Sequence, residues 1–185
     1  MHHTPLHKHH IENGGKVVDF HGWALPIQFQ GIIEEHNHTR TKASLFDCSH
    51  MGEFVVSGAP AIEHLQKLGF RNLSSLPVGK CRYSAILNVC GGMIDDIVAM
   101  RLSDDEMYVV TNAGPLETVA PILAQQCGAC NLSDETAKID IQGPLSRDIL
   151  LRAGFQDIAP LKYYTVCRTR WQNEEIIVSR SGYTG

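Results

Sequence analysis

Apolar and polar positions alternate most clearly in two neighbouring runs, residues 80–88 and 93–101, both rich in aliphatic and β-branched side chains. The turn string Val89-Cys90-Gly91-Gly92 lies between them, so the pair reads as an antiparallel hairpin. Successive side chains of a strand point to opposite faces. With Asn88 opposite Met93, one face collects Tyr83, Ala85, Leu87, Ile94, Asp96, Val98 and Met100, and the other carries Arg82, Ser84, Asn88, Asp95 and Arg101. Asp96 is then expected alone among apolar neighbours, whereas Asp95 faces the mixed side and needs no special account. A carboxylate on the apolar side must be hydrogen-bonded, neutralised or used, because an unpaired buried charge costs several kcal/mol. Two readings stand side by side: a structural acid satisfied by backbone amides or by Tyr83, and a functional one.

The same patterning organises the rest of the chain. Residues 31–44 read as a polar helix with a narrow buried stripe at Ile32, Ile33 and Ala43. Its His36 and His38 are two apart and do not share a helix face, which argues against a metal site there. A strand is expected at 53–57, stopped by Gly58 and Pro60, then a helix at 61–68. After the hairpin come a turn at 103–106, a strand at 107–111 and a helix at 116–126, with Pro115 suited to its first turn and Pro121 a weak point. A strand at 137–141, the turn Gln142-Gly143-Pro144 and a helix at 145–152 follow, then short strands at 163–167 and 175–179. Polar residues at 133–136 mark the expected boundary between two halves. The turn-rich ending Ser179-Arg180-Ser181-Gly182-Tyr183-Thr184-Gly185 has no closing element and suggests an incomplete chain.

Composition narrows the classes of function. The 185 residues are 43% hydrophobic and 19% charged, enough to bury a core, and a net charge of -4 gives no basic footprint for nucleic acid. No apolar run is long enough to cross a bilayer and the start, MHHTPLHKHH, has no signal-peptide pattern, so a cytoplasmic setting without membrane contact is expected. The six cysteines are scattered and imply no disulfide framework. Cys127 and Cys130 have the spacing of half a zinc or redox motif, but no second pair follows at zinc spacing. His2, His3, His7, His9 and His10 read as a solvated end that could bind nickel-type ions adventitiously.

Several strings now point one way: TPL with GGKVVDFHGWALPIQF, then SLFDCSHMGEF, NVCGGMIDDIV, VVTNAG, IQGP and SRSGYTG. In this order and at these separations the chain closely resembles the T-protein family of the glycine cleavage system, the tetrahydrofolate-dependent aminomethyltransferases. The resemblance spans essentially the whole chain but only about the N-terminal half of that family's usual length. It implies an α+β fold, antiparallel sheets flanked by helices. Residues 1–135 would form a first folate-binding subdomain, 136–185 the start of a second, incomplete one, with folate entering between them, and a C-terminal barrel-like domain would be absent.

The resemblance also implies a reaction in which a methylene group passes from the aminomethylated lipoyl arm of H-protein to tetrahydrofolate and ammonia leaves, with no metal or redox cofactor. By resemblance Asp96, the second Asp of the GGMIDD string, is the essential acid. Tyr83 shares its face and could flank the pterin, a plain core aromatic being the alternative. Asn112 matches a folate-contacting position, where its amide could donate and accept at once. A four-residue turn would put it opposite Ile97 on the other face, so it reaches the site only by a bulge or because the strand has ended. His50 and Met51, in SHMG, match a cavity-lining segment, with core packing the alternative for Met51. Tyr183, in SGYTG, would shape the folate pocket or be a turn aromatic. Cys48 stands where Val is usual in the family, and Ser181 where Thr is common. Related alternatives are the folate-binding regions of sarcosine and dimethylglycine oxidising enzymes, although no GxGxxG fingerprint precedes the match, and a non-catalytic folate-binding or regulatory module related to the iron–sulfur maintenance factor.

Overall fold

The computed structural model describes residues 1–182. In chain order the elements are α1 (His7–Glu12), β1 (Val17–Phe20), β2 (Trp23–Pro26), α2 (Ile32–Thr41), β3 (Ser44–Asp47), β4 (Gly52–Ser57), α3 (Ala59–Leu68), β5 (Cys81–Leu87), β6 (Met93–Ser103), β7 (Glu106–Thr111), α4 (Leu116–Cys127), β8 (Cys130–Asn131), β9 (Ile139–Gln142), α5 (Ser146–Arg152), a 3-10 turn (Gln156–Ile158), β10 (Thr165–Trp171) and β11 (Glu174–Arg180). Every strand pair is antiparallel, so the expected α+β class holds. The chain makes two compact units, one from residues 1–50 and 136–153, the other from 51–135 and 154–182. Each unit is discontinuous in sequence, and the polar stretch at 133–136 is one of the places where the chain passes between them.

The second unit is built on a five-stranded sheet in the order β5-β6-β7-β4-β8. Period-two alternation sends Phe54 and Val56 of β4, Ile86 of β5, Ile97 and Ala99 of β6, and Met107 and Val109 of β7 to one face. There α3 contributes Ile62 and Leu65, and α4 contributes Val119, Leu123 and Cys127 at four-residue spacing, which is one helix face. The opposite face carries Cys81, Met100, Tyr108 and Val110 and packs against Val166 and Ile177 of the β10–β11 hairpin. On it the buried Glu53 carboxylate accepts a hydrogen bond from the Tyr108 hydroxyl. Because both faces are covered, β7 reads as an unbroken apolar run. Helix α4 continues through Pro121, which lies on its exposed side where water can serve the freed carbonyl, and ends at Gly128 in the left-handed conformation.

In the first unit β1 and β2 form a hairpin whose two turn residues, His21 and Gly22, have φ of 50° and 83°, and Asp19 Oδ1 accepts the Gly22 N–H at 2.8 Å. Positive φ at both central turn positions matches the right-handed twist of the flanking strands. Helix α2 departs from expectation: it buries no residue, and Ile32 and Ile33 are 62% and 76% exposed. Its start is held by polar contacts instead, Glu35 Oε1 accepting the N–H groups of Phe29, Gln30 and Gly31 at 2.7, 2.8 and 3.0 Å. The His-rich start is not uniformly solvated either. His10 is buried in α1, because its imidazole meets a carboxylate of β3.

Candidate functional site

The hairpin register between Tyr83 and Ile86 is the one the alternation predicts: Tyr83 pairs with Val98, Ser84 with Ile97, Ala85 with Asp96 and Ile86 with Asp95. A bulge at Ile86/Leu87 then pairs Leu87 with Met93. What alternation alone did not decide is which face is the deeper. Ile86, Ile97 and Ala99 lie on the side of Asp95, which is only 4% exposed beneath the helices. Asp96 is half-buried on the other face with Tyr83, Val98 and Met100. The expectation that Asp95 needs no special account is therefore corrected: of the two carboxylates it is the more deeply buried.

Asn112 reconciles the pair. The β6–β7 register shifts between Arg101 and Ser103 so that Arg101 pairs with Met107. This one-residue bulge moves Asn112, just beyond the end of β7, from level with Ile97 to level with Asp96. Its backbone N–H donates to Asp95 Oδ2 at 3.0 Å. Its Nδ2 donates to Asp95 Oδ1 and to Asp96 Oδ1, both at 2.8 Å, with the Asp96 carbonyl at 3.2 Å. The amide hydrogens thus face the two carboxylates.

Burial raises the Tyr83 phenol above its ordinary range, and the nearby Asp96 carboxylate adds to the rise. Tyr83 as a whole is 45% exposed. Burial also pushes the Asp95 carboxyl up; the donors of Asn112 pull it back, and the charge of Asp96 adds to the rise. Met51 packs against the apolar cluster of Cys81, Met100, Tyr108 and Val110 on the face that Asp96 shares. Tyr164, a non-glycine residue at φ 57°, lies close enough to Tyr83 to contribute to its shift. The structure thus brings together Asp96, Asn112 and Tyr83 and adds Asp95, for which the sequence signal was the trio Ile86, Ile97 and Ala99 on its face. Tyr183 lies outside the described residues.

His50 belongs to the first unit. Its Nδ1 is buried without a hydrogen bond, its ring meets Phe20 edge-on at 5.5 Å, and burial lowers its pKa against the raising influence of Asp47. Nearby, Asp47 accepts from Thr4 Oγ1 at 2.6 Å, His10 Nε2 at 2.8 Å and the Ser49 N–H at 3.1 Å. Sequence reading missed this buried polar cluster, whose members are far apart along the chain. Among the described residues no group of three or more His, Cys, Asp or Glu side chains could hold a metal ion, and none of the helices is long and apolar enough to cross a membrane.

Fold and site together define an α+β protein whose antiparallel sheet presents a carboxylate, an amide and a phenol on adjoining strands. Its backbone follows that of the glycine cleavage system aminomethyltransferase T from Bartonella henselae, with a TM-score of 0.87 at 30% identity over 99% of this chain and 51% of that one. The chain belongs to the family described as the GCVT N-terminal domain, whose model matches residues 6–185. Aminomethyltransferases of Halothermothrix orenii and a Thermotoga species are 38% and 39% identical over 98% and 100% of this chain, in each case 52% of the relative. The chain therefore spans about half the length of the curated relatives it matches. A heterotetrameric sarcosine oxidase from Corynebacterium agrees in fold, with a TM-score of 0.54 at 14% identity over 80% of this chain.

Proposed function

We propose that this polypeptide supplies the N-terminal half of a tetrahydrofolate-dependent aminomethyltransferase of the glycine cleavage system, acting in the cytoplasm with lipoylated H-protein as its protein partner. The observation that carries the reading is the Asp96 carboxylate, half-buried on the sheet, bonded by Asn112 and sharing its face with the nearby Tyr83 phenol, in a chain of this family. Tetrahydrofolate, when bound, supplies the two amine nitrogens that take up the methylene group. In the overall transfer the C–S bond to the lipoyl arm and the C–N bond to the departing ammonia break, two C–N bonds to the folate form, and the two folate N–H protons pass to the sulfur and the ammonia.

The chain's own residues fit that task. Asp96 is an acceptor already oriented by Asn112, so it can bind a folate N–H and stabilise positive charge developing on nitrogen without rearranging. The exposed ring of Tyr83 offers a flat surface for a pterin. Met51 adds apolar surface on the same sheet face, and Tyr183 and His50 complete the proposed set of binding residues on the strength of their motifs. The donors and acceptors here suit a polar heterocycle, and the reading requires no metal.

The experiment is calorimetry with tetrahydrofolate on the chain and on Asp96→Asn, followed by a transfer assay with aminomethylated H-protein after the remaining half of a relative is joined. Retained binding with lost transfer is expected. Normal transfer by Asp96→Asn would remove Asp96 from the mechanism.

A further inference from the structure

The two acids of the Asp95-Asp96 pair do different work, and Asn112 is what connects them. A carboxamide carries two hydrogens on nitrogen and one acceptor oxygen. Nδ2 of Asn112 lies 2.8 Å from Asp95 Oδ1 and 2.8 Å from Asp96 Oδ1, so both hydrogens are used within the protein. The reverse orientation would aim the amide oxygen at two carboxylate oxygens, and repulsion excludes it. The amide oxygen therefore points away from both acids, and among the described residues no hydrogen bond ends on it.

Asp95 sets this arrangement. At 4% exposure, on the face covered by α3 and α4, it is too deep to meet a ligand itself. It grips Asn112 at two points, the backbone N–H at 3.0 Å and the side-chain amide at 2.8 Å, which fixes both the position of the residue and the rotation of its amide. A buried carboxylate with two acceptor oxygens matches the two donors of Asn112 in a way that no neutral side chain of the same size can.

We propose that Asp95 is a positioning residue which, by accepting the backbone N–H and one amide hydrogen of Asn112, makes Asn112 an obligate acceptor toward the ligand, so that the site selects a ligand group donating N–H or O–H at that place. Only the choice of ligand, a reduced pterin rich in N–H donors, rests on the function proposed above. The acids divide the work: Asp96 faces the ligand, and Asp95 determines which way Asn112 faces it. The upward push on the Asp95 carboxyl, offset by the donors of Asn112, fits this mutual dependence.

The test is Asp95→Asn in the 185-residue chain. It is nearly isosteric but offers one acceptor and one donor where Asn112 needs two acceptors, so Asn112 must release a hydrogen bond or turn its amide over. Nitrogen–proton NMR of the ligand-free protein, with the Asn112 side-chain resonances identified from Asn112→Ala, reads this directly. The wild type should show both amide protons shifted and protected from solvent exchange, and Asp95→Asn should return at least one to the position and exchange rate of a free amide. Calorimetry with tetrahydrofolate should show affinity lowered roughly tenfold by Asp95→Asn, with no further loss when it is added to Asn112→Ala, because the effect passes through Asn112. A merely structural Asp95 would lower the melting temperature and leave the Asn112 resonances and the affinity unchanged, which overturns the proposal. If Asp95→Asn does not fold, acid titration of the wild type decides: the Asn112 amide resonances should follow the Asp95 carboxyl, and independence of the two overturns the proposal. If the wild type binds no tetrahydrofolate, the folate reading falls while the amide resonances still decide the role of Asp95.

Discussion

His10 Nε2 sits 2.8 Å from Asp47 Oδ2, and both side chains are almost fully buried, 8% and 2% exposed, so the first helix of the chain is tied to β3 by a pair sealed from water. The same carboxylate takes the Thr4 hydroxyl and the Ser49 N–H, and its pKa is held below the usual value: burial alone would raise it, but these donors together outweigh that. The pair does for the first unit what an apolar core does elsewhere, fastening residues 4, 10, 47 and 49 to one point.

Removing that point should be costly. Asp47→Ala leaves the buried donors of Thr4, His10 and Ser49 without their acceptor, and a loss of about 3–5 kcal/mol is expected. Asp47→Asn keeps one acceptor oxygen and should lose less. Denaturant unfolding followed by Trp23 fluorescence, in a Trp171→Phe background, measures both. Equal and small losses for the two variants would contradict the role assigned to the cluster.

The two units should respond to pH with opposite sign. Asp47 and His50 have lowered pKa values in the folded chain, so each contributes stability above its unfolded value, 3.8 or 6.5, that is lost as pH falls through its folded value. Around His50 the charge of Asp47 works against the shift while Lys138 and His21 work with it. Asp95 is raised from 3.8, so its contribution is present below that value and is lost as pH rises through the folded pKa. Trp23 should therefore report a lower unfolding midpoint at about pH 5 than at about pH 7, and the Asp95 carboxyl should titrate by NMR above the value of a free aspartate. A flat Trp23 profile, or an Asp95 midpoint at or below 3.8, would contradict these assignments.

Gly52 should not tolerate a side chain. It pairs with Thr111 across the sheet, and a Cβ there would run into Thr111 Oγ1 and the Leu116 side chain. Gly52→Ala should destabilise the second unit by about 1–3 kcal/mol through overpacking. Because Thr111 directly precedes Asn112, the shift should also reach the Asn112 amide resonances. Thermal unfolding and the same NMR spectra check the two effects, and unchanged stability would show that the sheet opens freely at this point.

Tyr83→Phe separates binding from stability. Tyr83 is 45% exposed, so losing its hydroxyl should change stability by no more than about 0.5 kcal/mol. Under the proposed function the hydroxyl contacts the ligand beside Asp96, and its loss should weaken tetrahydrofolate binding roughly five- to tenfold. Calorimetry alongside thermal melting distinguishes the two, and unchanged affinity would remove the hydroxyl from the site.

Much of the hairpin was legible in advance. Ala85 opposite Asp96 and Tyr83 opposite Val98 follow from alternation and a turn string alone. The place of Asn112 was not, because a one-residue bulge at Arg101/Ser103 has no composition signal and moves every later residue to the opposite face. Helix α1 and the β1–β2 hairpin carry little sequence signal: the first is short and almost entirely polar, and the second turns on His21, where positive φ is uncommon for a residue other than glycine. Pro121 is a weak point by sequence, yet α4 runs through it, since the apolar contacts of Val119 and Leu123 outweigh one missing hydrogen bond on the exposed side.

By itself the chain determined which segments pair locally, where they turn and which side chains share a face, since these depend on backbone sterics and on neighbours a few residues away. Only the tertiary structure decided which face of β6 lies deeper, that Asn112 spans both carboxylates, and that His10 and Thr4 meet Asp47. Burial and hydrogen-bond partnership depend on elements brought together from distant parts of the chain, α3 and α4 over one face of the sheet and the β10–β11 hairpin over the other. When both faces are covered, hydrophobic alternation no longer distinguishes inside from outside.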